Sequence, residues 1–431
     1  MTYADALKFL YGLRLFGAKL GLENTLKLAD LAGRPQDQLK FIHVAGTNGK
    51  GSTCAFLESI YRGAGLRVGL YTSPHLVSFT ERIQVNRGPI PPTAVVELVS
   101  EMQPWLAGFP SDAHPTFFEV VTVMALLWFA RQGCELVIWE TGLGGRLDAT
   151  NIVTPLARVI TTIELDHQRW LGQTLDRIAF EKAGILKPAI PAITGVTAPE
   201  ALATIADLAR QQACPLTIVG KELTEAPPLA GLRLPLLGAH QRQNAAIAVA
   251  TARVLQSRLP LADSALRDGL LATHWPGRLQ LVQPSGRRPV LLDGAHNPGG
   301  AEQLRAALRD DFAGVRPTLI LGIMQDKDWD LMCRTLAPVA ERVWCVPVSS
   351  ERSAAPAELV APCQRAHPTG AAALCPSLAE ALRLTADAPL TVVAGSLYLI
   401  GETMELLGLA ASPATDEKRL NEWGASLAPA H

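Results

Sequence analysis

The stretch FIHVAGTNGKGST, residues 41–53, decides the fold. Phe41, Ile42, Val44 and Ala45 read as a short buried strand, residues 46–51 as a turn, and Ser52 as the opening of a helix that continues through CAFLESIYRGAG. Three glycines around Lys50 suit a loop that wraps a polyphosphate, because glycine turns sharply and leaves amide N–H groups pointing inward. The helix N-terminus behind them adds a partial positive charge. Lys50 would reach the terminal phosphates as a point charge, and the Ser52 hydroxyl would ligate Mg²⁺. A nucleoside triphosphate is therefore the expected ligand. The common pattern GxxxxGK[ST] is not met, since Gly51 stands between Lys50 and Ser52; a glycine-rich turn with a solvated lysine is the competing reading.

With 431 residues the chain is long for one core, and two domains are expected. A hydrophobic content of 48% and a mean hydropathy of +0.18 supply enough apolar material for buried sheets. Lys and Arg total 39 against 40 Asp and Glu, with no basic run, so nothing suggests a nucleic-acid footprint. Cys54, Cys134, Cys214, Cys333, Cys345, Cys363 and Cys375 form an odd set without CxxC spacing, which argues against a disulfide framework and fits a reducing cytoplasm. Polar residues follow Met1, so no secretory signal is expected. The longest strongly apolar segment, residues 120–130, is too short to span a bilayer.

Upstream of the loop, residues 4–31 carry leucines and aromatics at helical spacing, with Gly17 and Gly21 as breaks. Downstream, RVGLY (67–71) reads as a second strand ending in Thr72, Ser73, Pro74 and His75, the position where ligands sit in open α/β sheets. Ser73 and His75 are candidates for metal or phosphate contact, or parts of a plain turn fixed by Pro74. FTERIQV (79–85) reads as a strand or extended loop, and IPPTAVVELVSEMQPWL as a helix. TFFEVVTVMALLWFARQG (116–133) reads as an apolar helix whose Phe117 or Phe118 would face a ligand cleft, although aromatics so spaced more often belong to a core.

ELVIWE (135–140) is a buried strand that ends in Glu140 and runs into TGLGGRLDATN, with Arg146, Asp148, Thr150 and Asn151. A carboxylate placed there needs a polar partner, which a bound cation would supply. ARVITTIELDH (157–167) is expected to deliver Asp166 and His167 as a strand end to the same sheet edge, which favours metal ligation by His167. In TLDRIAFEKAGIL (174–186), Glu181 and Lys182 read by spacing alone as a solvated pair. PAIT (191–194) and LTIV (216–219) are further strands with a helix between them, so the alternation predicts an α/β fold with a mostly parallel, doubly wound sheet. LLGAHQRQNAAIAVATARVLQS (236–257) reads as a helix whose His240, Gln241 and Asn244 either cap it or read a base edge.

LQLVQPSGRRP is the best linker candidate and puts a domain boundary near 283–288. This predicts a P-loop-type nucleotide-binding domain at 1–284, a smaller Rossmann-like α/β domain at 285–410 and a weakly ordered tail at 411–431. In the second domain PVLLDGAHNPGG (289–300) is again strand, polar turn and helix start, with Asp293, His296 and Asn297 at the turn. TLILGIM (318–324), RVWCVPV (342–348) and LTVVAGS (390–396) supply its other strands.

Taken as a set, HVAGTNGKGST, YTSPHLVSFTERI, ETGLGGRLDATN, ELDH followed by LG, EKAGI, HQRQNAA, the pair Gly277-Arg278 and DGAHNPGG resemble one family. It is that of the folylpolyglutamate synthases and dihydrofolate synthases, relatives of the Mur ligases. LGIMQDKDW and VVAGSLYLIGE extend the likeness across the second domain. The resemblance implies a cytoplasmic ATP-dependent amide ligase. A substrate carboxylate takes the γ-phosphoryl group, and the amine of L-glutamate then displaces phosphate from the acyl phosphate. It favours a bifunctional enzyme that uses dihydropteroate and reduced folates, acting as a monomer with no nucleic-acid or membrane partner. ATP and two Mg²⁺ ions are the implied cofactors, with a monovalent cation as an option.

Carried over residue by residue, the resemblance implies that Gly49, Lys50 and Ser52 hold phosphates and the first Mg²⁺, while Thr47, Asn48 and Gly51 belong to the same nucleotide loop. Glu140 helps to bind magnesium. Ser73, His167 and Lys182 match positions around the second Mg²⁺, with Lys182 carbamylated so that a cation becomes an oxygen ligand; this replaces the solvated-pair reading. Asn244 is placed at the adenine, Arg278 on the phosphates across the cleft, Asp293 at the ribose and His296 among the reacting groups. Lys50, Lys182, Arg278 and His296 are the implied catalytic set. The pterin is expected near Ser73 and His75, Phe117 and Phe118, and Asp148 and Thr150. Two readings compete. One is a Mur-type ligase for a UDP-linked sugar peptide, which the run TSPHLVSFTERI opposes. The other is a nucleotide-binding switch, which would need the loop but not Ser73, Glu140, His167 and Lys182.

Overall fold

β1 (Phe41–Ala45) is buried at every position because helices cover both faces of its sheet. The structure is a computed structural model and describes residues 1–16, 21–367, 369–411 and Glu417. With β1 in the first sheet are β2 (Val68–Tyr71), β3 (Ile83–Val85), β4 (Gly88–Pro89), β5 (Leu136–Glu140), β6 (Ala157–Ile160), β7 (Ala192–Thr194) and β8 (Leu216–Ile218). Their order is β4-β3-β2-β5-β1-β6-β7-β8, parallel from β2 to β8, with β3 and β4 antiparallel at one edge. β1 lies between β5 and β6, while the next strand in the chain, β2, lies beyond β5. The strand order therefore reverses at β1, and the loop that follows it opens at the switch point where open α/β sheets bind ligands.

The second sheet contains β9 (Gln280–Val282), β10 (Val290–Asp293), β11 (Thr318–Leu321), β12 (Arg342–Cys345), β13 (Ala371–Leu374) and β14 (Thr391–Ala394), ordered β13-β12-β11-β14-β10-β9. All are parallel except β9, which pairs antiparallel with β10. The mostly parallel α/β architecture and the second, smaller sheet are as the sequence predicts. Among the described residues no helix is long and apolar enough to cross a membrane.

Three local expectations need correction. The helix after the phosphate loop starts at Lys50 rather than Ser52, because Gly49 at φ +84° already makes the turn. The run 157–167 is a strand only to Ile160. Beyond that point Thr161 and Thr162 hold the phosphate loop, so Asp166 and His167 arrive on a connecting segment. The supposed linker at 283–288 is the turn of the β9–β10 hairpin, so the second sheet already begins at Gln280; Pro, Ser and Gly mark turns and linkers alike. In addition, β13 and the helix Pro356–Ala366 carry no clear pattern in sequence, and β13 is built largely of alanine. Gly17 and most of 411–431 lie outside the described residues.

The helix Lys50–Gly63 packs against the helix Asp263–Leu271 at a close backbone approach. A Cβ on Gly269 would fall 2.4 Å from Ile60 Cα, and Ser59 Oγ donates to the Gly269 carbonyl at 2.7 Å. Gly269→Ala is expected to destabilise the protein by about 1–3 kcal/mol through overpacking, read from the midpoint of urea unfolding.

Candidate active site

The phosphate loop is held from outside. Thr47 N donates to Thr162 O at 2.7 Å, Asn48 N to Thr162 Oγ1 at 3.0 Å, and Thr161 Oγ1 to Asn48 O at 2.6 Å. Thr47 Oγ1 accepts from Glu164 N at 3.1 Å. The approach is so close that a Cβ on Gly46 would lie 1.9 Å from Thr161 Oγ1. Against this loop stand two ammonium groups. Lys50 Nζ donates to Gly46 O and Thr47 O at 3.1 and 3.3 Å, and Lys182 Nζ donates to the same Gly46 O at 2.9 Å. Lys182 is buried, and burial together with the Lys50 charge pushes its pKa down to about 7. Ser52 is buried in the first helical turn, and Gly49 lies against Asn244, whose Nδ2 donates to Gln241 Oε1 at 3.0 Å.

Glu140, at the end of β5, accepts from Ser73 N at 3.1 Å. Burial raises its carboxyl, while Lys50, the Ser73 hydrogen bond and Arg278 favour the charged form. Glu140 is thus the acidic counterpart of the two lysines. Among the described residues no three His, Cys, Asp or Glu side chains form a metal cage. Glu140 and the Ser52 hydroxyl are hard oxygen donors of the kind Mg²⁺ takes beside water and phosphate oxygens.

The second sheet reaches this edge through Asp166. Its carboxylate accepts from Lys327 Nζ at 2.7 Å, Asn297 Nδ2 at 3.0 Å and His167 N at 2.8 Å. Burial would raise Asp166, but His167, Lys327 and His296 outweigh it and hold the carboxyl well below its usual range. Asn297 and Asn48 pair reciprocally at 3.0 and 3.1 Å, which ties the second domain to the phosphate loop. His296 Nδ1 meets Gly294 O at 2.8 Å. A carbonyl only accepts, so Nδ1 carries the hydrogen and Nε2, 3.8 Å from Asp166 Oδ2, is a bare lone pair. Burial and Lys327 push the His296 pKa down to about 4, so it is neutral at pH 7, and they act in the same direction on His167. Asp293 accepts from Leu279 N and Ala295 N at 2.8 and 2.9 Å. Sequence reasoning singled out neither Lys327 nor the loop-binding role of Asn297. Their signal was present only as the motifs GIMQDKDW and GAHNPGG, because a contact between sheets has no periodicity.

A cavity of about 250 Å³ opens beside these groups, lined by Thr72, Pro74, His75, Trp275, Arg278 and Met404 among others. Arg82 Nε donates to His75 Nδ1 at 2.9 Å, so Nε2 bears the hydrogen and donates to Glu417 O at 3.0 Å. Within residues 412–431, Glu417 is the one described. It is buried, and its carboxylate accepts from Phe79 N, Ser78 Oγ and Tyr3 Oη at 2.6, 3.0 and 3.2 Å. Phe117 lies against Phe79 and under the Arg82 guanidinium, while Phe118 packs on Tyr71 and over Gly142. Asp148 accepts from Gly142 N, Leu143 N, Thr150 N and Thr150 Oγ1, so its carboxylate shapes the turn from within. Thr150 is fully buried beneath it.

A family model described as "Mur ligase, glutamate ligase domain" matches residues 277–397. The dihydrofolate synthase/folylpolyglutamate synthase of Bacillus subtilis (strain 168) is 41% identical over 364 residues, covering 79% of this chain and 84% of that protein. The chain belongs to the folylpolyglutamate synthase/dihydrofolate synthase family. In this family, a structure of E. coli FolC in complex with DHPP and ADP matches with TM-score 0.83 and 34% identity, covering 95% of this chain and 98% of that one. Mycobacterium tuberculosis folylpolyglutamate synthase complexed with ADP and AMPPCP matches with TM-score 0.85 and 29% identity, covering 94% and 99%. The family membership implied by the sequence motifs is thereby established.

Asp166 and Lys327 are 8% and 9% exposed, so removing one partner strands the other away from water. Lys327→Met is expected to lower unfolding free energy by about 3–5 kcal/mol. Adding Asp166→Asn should restore part of the loss, a positive coupling measurable by denaturant unfolding of all four members of the cycle.

Proposed function

We propose that the protein is an ATP-dependent ligase that joins L-glutamate to 7,8-dihydropteroate and to reduced folates through an acyl phosphate, as a monomer. The observation that carries the reading is the convergence at one sheet edge of the phosphate loop, Glu140, Lys182 and, from the second domain, Asn297 and Lys327, beside a cavity that reaches His75. The relatives' names, and the ADP in their structures, support the same chemistry.

In this reading the loop amides and Lys50 take the β- and γ-phosphates, Lys50 leaving the two carbonyls it now serves. Asn244 borders the adenine, Asp293 the ribose, and Arg278 reaches the phosphates across the cleft. Phosphoryl transfer mainly requires alignment and charge neutralisation, and these residues supply both. The acceptor carboxylate oxygen attacks the γ-phosphorus as the bond to ADP breaks. The glutamate amine then attacks the acyl carbon, and phosphate leaves. The bare Nε2 of neutral His296 can accept a hydrogen bond from the incoming amine and so orient it. Ser52 and Glu140 would hold one Mg²⁺, and Ser73, His167 and a carbamylated Lys182 a second. Bound there, the metal neutralises charge on the phosphates. Carbamylation also removes one of the two positive charges crowded at Gly46 O. The cavity receives the pterin, with His75 and the Ser73 turn at its wall and Phe117, Phe118, Asp148 and Thr150 behind it as support.

The deciding measurement is ADP release with Mg²⁺, ATP and L-glutamate, comparing dihydropteroate with tetrahydrofolate and weighing the products. Turnover with both establishes bifunctionality. Nucleotide binding without glutamate transfer to either sinks the ligase reading and favours a switch protein. Lys50→Ala should lower kcat by roughly 100-fold or more.

A second test uses Lys182. Only a free amine reacts with CO₂, and with a pKa of about 7 the free fraction grows as pH rises through neutrality. After removal of CO₂, bicarbonate should reactivate the enzyme more strongly above pH 7 than below it, with no reactivation of Lys182→Met. Equal reactivation on both sides of neutrality would refute carbamylation.

A further inference from the structure

Arg158, on β6, is fully buried, and its Nε, Nη1 and Nη2 all lack a hydrogen-bond partner. A guanidinium keeps its charge, and a charge left unpaired inside a protein is destabilising by several kcal/mol. Its surroundings make the imbalance worse. His43 stands in register beside it on β1 and is also fully buried, with Nδ1 unpartnered. Thr150 Oγ1 gives its hydrogen to Asp148, so His43 Nε2 must donate to Thr150 at 3.0 Å, and Nδ1 is left as a bare lone pair. His43 therefore brings no negative charge. The nearby Lys187 ammonium donates to Asn151 O at 2.9 Å, and Cys214 Sγ donates to Lys187 O at 3.1 Å. Burial, and after it the charges of Arg158 and Lys187, weakens the basicity of His43, and burial followed by the Arg158 charge weakens that of Lys187. Among the described residues no Asp or Glu hydrogen-bonds to Arg158 or Lys187. The place is a seam in the sheet face, between the apolar cluster of Phe41 and Trp139 and that of Ile160 and Ile185.

We propose that this seam binds a small monovalent anion of chloride or nitrate size, held by the Arg158 fork with Lys187 as the second cation. A buried host demands an occupant that sheds its water, and a single charge does so at far less penalty than a double one. The planar fork also matches an oxyanion in two-point contact. The anion lies on the Arg158 side of His43, whose Nε2 donates to Thr150 under the turn that carries Asp148. By neutralising the Arg158 charge it stabilises the β1–β6 pairing that leads into the phosphate loop.

The test is thermal unfolding of the full chain while gluconate is exchanged stepwise for chloride, or for nitrate, at constant ionic strength. An anion that binds only the folded state raises Tm with concentration. The expected result is a rise for the wild type that Arg158→Met abolishes. A stronger response to chloride assigns a halide, and a stronger response to nitrate a planar oxyanion. In bromide-soaked crystals an anomalous peak should sit beside the Arg158 guanidinium. Identical anion responses of wild type and Arg158→Met overturn the proposal. Where that variant fails to fold, an absent bromide peak does so, leaving a pocket that holds water alone.

Discussion

A single buried carboxylate couples the two halves of the molecule. Asp166 sits on the segment after β6, yet it takes hydrogen bonds from Lys327 and Asn297 of the other domain. A buried charge must be paired, and here the partners come from across the cleft. Separation of the domains would leave Asp166 and Lys327 to water and would break the Asn48–Asn297 pair on the phosphate loop. Closure and assembly of the site are therefore one equilibrium. Anything that prefers the complete site draws the domains together by as much as it prefers it.

The site is also arranged around charges that lack full partners in the protein itself. Lys50 and Lys182 share one carbonyl of the loop, and the Arg278 charge also favours the ionised form of Glu140. Such crowding of cations is unfavourable until negative oxygens arrive. A polyphosphate is thus welcomed by groups already in place, with little rearrangement beyond the release of Lys50 from its carbonyls. The arrangement exchanges stability of the empty protein for preorganisation toward the reacting state.

Much of this was legible in the sequence where chemistry is local. Residues 41–53 state their own strand, turn and helix, and Glu140 closes an apolar run in which a carboxylate has no other reason to stand. Legibility fails where a residue's meaning is set by something distant in the chain. The β-branched run 157–163 has strand propensity throughout, but Thr161 and Thr162 are spent on the loop of another strand. Lys182 looks like one member of a surface pair until its burial against Gly46 is seen; Glu181 in fact pairs with Arg146. Lys327 and Glu417 are ordinary charged residues by pattern and acquire their places only through tertiary contact. Phe117 and Phe118 illustrate the converse, since aromatic spacing alone left core and ligand open, and both pack against other aromatic rings.

The chain passes between the sheets through residues 272–279, and this crossing does more than connect. The Trp275 ring lies against Gly51 of the phosphate loop, and Arg278 lines the cavity next to His75. A change of even one residue in its length would move a wall of the site relative to the phosphates. The β9–β10 turn, whose residues 285, 286 and 288 are exposed, has no such duty. Length variation and grafted sequence are thus confined by geometry to the hairpin. A reporter inserted there would ride on the outer edge of the second sheet and follow its motion as a passenger.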